Sequence, residues 1–103
     1  MKNWNVIITE EVQDDLDNFV YYLLVEKMNE QAARAVLEDY DETVDELALI
    51  AGSLKTLEDP ALSGYRKIRL RRHHYYLIYH LQEDTAIVDR MFHDLQDLDK
   101  AMT

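Results

Sequence analysis

The sequence predicts a single α+β domain, residues 1–103, in which an antiparallel two-helix hairpin packs on an antiparallel β-sheet. Three observations predict it. Apolar residues recur with the helical period of 3.6 up to residue 51, and from residue 65 the period changes to 2. Both glycines and the only proline (Gly52, Pro60, Gly64) fall between these regions, where a connection belongs. Charge divides at the same place: residues 1–59 hold 15 acids and 4 bases, residues 60–80 hold 5 bases and no acid, and residues 81–103 hold 6 acids and 2 bases.

Val6-Ile7-Ile8 reads as an opening strand. Thr9 is an N-cap, followed by Glu10 and Glu11 where the helix dipole favours acids. Val12, Leu16, Phe19, Val20, Leu23 and Lys27 then share one helical face, which predicts a helix over about residues 10–28. Asn29 caps a second, over about 30–51, whose stripe is Ala33, Val36, Leu37, Tyr40, Val44, Leu47, Ala48 and Ala51, with Gly52 as its C-cap. The acids between these positions (Glu38, Asp39, Asp41, Glu42, Asp45, Glu46) read as a solvated face rather than a metal or partner site.

Downstream, Tyr65 to Arg72 alternates Ile68 and Leu70 against Lys67, Arg69 and Arg71, so the three bases share a strand face. His74 to Leu81 and Ala86 to Phe92 are two further strands, joined by a turn at Gln82-Glu83-Asp84. Asp94 then caps a short helix carrying Leu95, Leu98 and Met102. The order is β-α-α-β-β-β-α, a two-layer arrangement.

Composition narrows the function. With no cysteine, disulfide scaffolds, thiolate metal sites and cysteine nucleophiles are excluded. The longest run without a formal charge, His73 to Gln82, is half what a membrane-spanning helix needs, and no signal peptide is visible, so the expected location is the cytosol. A net charge of −10 opposes nonspecific binding to nucleic acid. The histidines lack metal-ligand spacing, since His74 and His80 stand about 20 Å apart along one strand and His73 points to its other face. No metal and no cofactor is expected.

The basic strand has two readings. Arg66, Lys67, Arg69, Arg71 and Arg72 either balance the acidic helices or form a cradle for phosphate or another anionic target, since each guanidinium can fork onto two oxygens. His93, at the end of the last strand, either bonds the local backbone or passes a proton, with Arg69, Arg71 or Arg90 holding a phosphate. Tyr21, Tyr22, Leu49, Ile50 and Met91 lie outside the obvious stripes, so they either complete the core or offer apolar surface to a second chain.

Several segments in order resemble the RelE/ParE toxins of bacterial type II toxin–antitoxin modules. They are Ile8-Thr9-Glu10-Glu11-Val12, Leu54 to Pro60, Gly64-Tyr65-Arg66-Lys67-Ile68-Arg69, Tyr76-Leu77-Ile78-Tyr79 and Ile87 to Asp97. The resemblance implies the helical hairpin on a sheet, growth inhibition, and a cognate antitoxin encoded beside the toxin, in a toxin–antitoxin hetero-oligomer or alongside a homodimer. RelE-like relatives cleave mRNA on the ribosome, using basic residues on the sheet with a late tyrosine, or in the YoeB-like group a glutamate, an arginine, a late histidine and a terminal tyrosine. Arg69 or Arg71 and His93 match such places, but no tyrosine follows Tyr79. ParE-like relatives poison DNA gyrase by protein contact and often show a late histidine followed by aspartate, as in His93-Asp94-Leu95-Gln96-Asp97. The resemblance favours the ParE-like branch.

Overall fold

Strand β1 (Asn5–Ile8) leads through Thr9 into helix α1 (Glu10–Tyr21), and Asn29 starts helix α2 (Glu30–Ile50). Strands β2 (Tyr65–Arg69), β3 (Tyr75–Gln82) and β4 (Thr85–His93) follow in the computed structural model, which describes residues 3–94. The helix expected from Asp94 onward lies outside the described residues. The caps are those the sequence predicts: Thr9 Oγ1 accepts from the Val12 amide at 3.4 Å, and Asn29 Oδ1 accepts from the Ala32 amide at 3.0 Å.

The sheet order is β1-β4-β3-β2. The meander β2-β3-β4 is antiparallel as expected, but β1 joins β4 in parallel, from Asn5 opposite Thr85 to Ile8 opposite Val88, so the whole sheet is mixed. The helical hairpin crosses one face. Val12, Leu16, Val36, Tyr40 and Leu47 bury against Ile68, Leu77, Tyr79, Val88 and Met91. Tyr76, Ile78 and Phe92 are buried on the opposite face, with Leu57 and Tyr65 packed beside them. Strand β3 is therefore buried on both sides.

Four details depart from the local reading. The first helix continues to Glu26, but its last turn is a π-helix (Tyr22–Glu26), in which the Lys27 amide donates to the Tyr22 carbonyl at 3.1 Å. Met28 then takes the left-handed conformation (φ 49°) that reverses the chain. Asp39 is not on the solvated face but fully buried. The segment expected to extend β2 to Arg72 leaves the ladder after Arg69: the Leu70 amide still donates to the Tyr75 carbonyl at 2.9 Å, but the Arg71 and Arg72 amides turn to Asp39. Gly52 is not a left-handed cap, since α2 tightens into a 3₁₀ turn (Ala51–Ser53). It is needed because a Cβ there would lie 2.7 Å from Cζ2 of Trp4.

Candidate functional site

The basic segment is dispersed by the fold. Lys67 and Arg69 project from the face of β2 opposite the helices, where the Lys67 ammonium lies 4.9 Å from the Tyr76 ring centroid and Arg69 pairs with Asp94. Arg66 points the other way and donates to the carbonyls of Gly52 and Leu54, at 3.1 and 2.5 Å. Arg71 and Arg72 do not share the face of Lys67 and Arg69. They lie in the β2–β3 loop and turn to α2, with Arg72 3.0 Å from Glu42 and Arg71 4.0 Å from Glu46.

Asp39 creates this arrangement. Its carboxylate accepts from the amides of Arg71 and Arg72 at 3.0 and 2.9 Å and meets His73 Nδ1 at 2.7 Å. Burial pushes the Asp39 pKa up, but the His73 hydrogen bond and then the two amides outweigh it, leaving the carboxyl below its ordinary value. Sequence reasoning missed this residue. The available signal was register, since Asp39 stands three residues after Val36 and next to Tyr40, both on the buried stripe.

His93 ends β4 opposite Tyr75, on the helix side of the sheet, with the two rings edge-to-face at 5.1 Å between centroids. It helps to line a cleft of about 580 Å³ with Phe19, Tyr22, Leu23, Lys27 and Tyr75. Arg90 turns to the rim of β4, where its guanidinium makes a two-pronged pair with Asp15 of α1 at 2.8 and 3.0 Å. The second Asp15 contact is the Met91 amide at 2.9 Å, so Asp15 satisfies the strand edge just past the point where β1 ends. His93, Arg69, Arg71 and Arg90 are thus not brought together: they occupy the inner cleft, the outer face, the α2 flank and the sheet rim.

The remaining histidines are each set against a carboxylate: His73 on Asp39, His74 3.5 Å from Asp94, and His80 2.7 Å from Asp89. Among the described residues no group of three metal-capable side chains converges. The His80–Asp89 pair was also missed in sequence. Asp89 is the extra residue of a β-bulge opposite Ile78 and Tyr79, and such irregularities have no local pattern.

The five apolar candidates for a partner surface do not form one patch. Tyr21, Tyr22 and Leu49 are exposed, at 61%, 48% and 53%. Ile50 is half-buried against the core. Met91 is a correction, being 1% exposed and part of the core because its side chain faces the helices. Tyr21 and Tyr22 lie on the first helix and its π-helical turn, whereas Leu49 lies near the end of α2, about 28 Å along that helix from its first residue at 1.5 Å per residue.

Two helices against a four-stranded mixed sheet with this order define the class of protein. It is the fold of the RelE/ParE toxins. The family model describing the ParE toxin of the type II toxin–antitoxin system parDE matches residues 6–98, and the chain belongs to that family. The fold resembles the chromosomal ParDE toxin–antitoxin system of P. aeruginosa, with a TM-score of 0.71, 19% identity, and coverage of 90% of this chain and 98% of that one. It also resembles the toxin–antitoxin complex RelBE2 of Mycobacterium tuberculosis, with a TM-score of 0.58, 23% identity, and coverage of 90% and 93%. No curated protein sequence matches.

Proposed function

We propose that this ParE-family toxin arrests growth by binding DNA gyrase through protein contact, and that a cognate antitoxin from the adjacent gene neutralises it. The observation that carries the target reading is the engagement of the arginines by the protein's own carboxylates. Arg69, Arg71, Arg72 and Arg90 pair with Asp94, Glu46, Glu42 and Asp15. A nuclease cradle needs guanidinium forks open to phosphate oxygens and a proton-transfer group within reach of the same phosphate. Here His93 lies on the other side of the sheet from Arg69. The net charge of −10 also disfavours an RNA-rich target.

Both solved relatives are described as toxin–antitoxin systems or complexes, which supports an antitoxin for this chain. Exposed apolar side chains on the π-helical turn before α2 (Tyr22) and near the end of α2 (Leu49) suit an extended partner that runs along the hairpin.

The test is purified toxin assayed against gyrase and, separately, against translating ribosomes. Inhibited supercoiling and intact mRNA are expected, and His93→Ala should leave both results unchanged. Ribosome-dependent mRNA cuts that vanish in the His93→Ala protein, an effect of about 10²–10⁴-fold for a lost general acid or base, overturn the gyrase reading. Co-expression of the neighbouring small gene should restore growth.

A further inference from the structure

The solvent face at the tip of the helical hairpin carries a second pattern that the fold does not use. Tyr21, Leu24, Val25 and Met28 follow at spacings of 3, 1 and 3 on the side away from the core, and are 61%, 44%, 50% and 86% exposed. Their neighbours Phe19, Val20 and Leu23 already pack against the core. Exposed apolar residues scattered singly need no explanation, but Tyr21, Leu24 and Val25 on the outer side of the last helical turns, continued by Met28 at the chain reversal, leave this tip apolar toward solvent as well as toward the core. The stripe runs through the π-helical turn, a geometry frequent at functional sites.

We infer that this stripe docks into an apolar groove with a cationic rim on the toxin's protein target. The charge around it selects that occupant. Glu10, Asp14 and Asp17 are exposed and lie four, three and four residues apart from one another and from Tyr21, so the same face of α1 is acidic for two turns before it becomes apolar. A second copy would bring two chains of net charge −10 together, which opposes self-association through this face. An enzyme that grips a DNA duplex must neutralise phosphates with lysine and arginine and so offers a basic surface. An apolar helix face flanked by carboxylates is complementary to such a surface, in the helix-in-groove mode. The inference rests on the gyrase reading above and adds the surface that makes the contact.

The experiment compares wild type with the triple variant Tyr21→Gln, Leu24→Gln, Met28→Gln and with the double variant Asp14→Lys, Asp17→Lys, by gyrase supercoiling at low and high salt. All five positions are exposed, so circular dichroism and the thermal midpoint should be unchanged. The triple variant should need at least ten times more protein for half-inhibition. The double variant should also weaken, with a smaller dependence on salt. Equal inhibition by wild type and both variants overturns the inference and leaves the gyrase reading intact. If wild type does not inhibit gyrase, that reading fails, and growth arrest decides the inference. A folded, expressed triple variant that still arrests cells overturns it, and a harmless one upholds a target of the same chemistry. Sedimentation showing a wild-type dimer that the triple variant abolishes makes the stripe a self-interface and also overturns it. So does a triple variant that keeps full toxicity but escapes the antitoxin.

Discussion

Asp39, at the middle of α2, holds Nδ1 of His73 at 2.7 Å across 34 residues of sequence, and the same carboxylate receives the amides of Arg71 and Arg72. One buried acid thereby ends β2, shapes the loop to β3, and turns two arginines against Glu42 and Glu46. Replacing it by alanine leaves two loop amides and an imidazole without their acceptor. Asp39→Ala should cost about 3 kcal/mol, read as a lower urea midpoint at pH 7.

The same group sets an acid limit. The folded pKa of Asp39 lies below that of a free carboxyl, about 3.9, so its ionised form adds stability above that value. The contribution is lost as pH falls from about 4 through the lower folded pKa. Asp39→Asn should be less stable at neutral pH, and the gap between it and wild type should narrow below pH 4 in parallel urea titrations.

Asp15 serves two partners at the rim of β4, the Arg90 guanidinium and the Met91 amide. Asp15→Ala should therefore destabilise by about 2 kcal/mol, and Arg90→Met, which leaves the Asp15–amide bond in place, by less. Since the pair is only partly buried, a double-mutant cycle should return a coupling of about 0.5–1.5 kcal/mol. Strict additivity in chemical denaturation contradicts the pairing.

Gly52 and Trp4 are in contact across the top of the core, and the added Cβ of alanine would meet the indole at 2.7 Å. The ring is half-buried and its backbone amide is tied to the Ala48 carbonyl at 2.7 Å, so it has little room to retreat. Gly52→Ala should cost about 1–3 kcal/mol and change the emission of Trp4, the single tryptophan. An unaltered emission maximum and melting temperature contradict the contact.

Tyr79 is fully buried and its hydroxyl donates to the Ala51 carbonyl at 2.7 Å. Burial pushes its pKa up to about 12, against a smaller opposing effect of Arg66. A raised pKa means that the neutral hydroxyl is favoured in the folded state, so its contribution is complete below about pH 10 and is lost as pH rises toward 12. Tyr79→Phe should lose about 1 kcal/mol at pH 7, and less of its stability than wild type between pH 10 and 12, measured by thermal unfolding in that range.

Among the described residues, sequence alone determined which segments are helix and which are strand. Thr9 and Asn29 cap their helices as read, and the change of period at residue 65 marks where the meander begins. The two stripes face the core except at Lys27 and Leu37, which are exposed because they fall at the edge of each stripe. These signals are local, because a cap or an i, i+4 contact involves residues within one turn. The ordered segments from Ile8 to Asp97 likewise carried the family. What tertiary structure decided lay in contacts between distant residues. The Asp15–Arg90 pair spans 75 positions, and Asp39 reaches a loop more than 30 positions away. Register placed Asp39 beside the buried stripe, but nothing local to either carboxylate names the distant group it pairs with. Burial and amide pairing are set only when the helices dock on the sheet, and that docking placed Met91 in the core, parted Arg71 from Arg69, and set His93 on the opposite side of the sheet from Arg69. A strand's alternation tells which residues share a face only while the strand lasts, and β2 ends where Asp39 satisfies its amides.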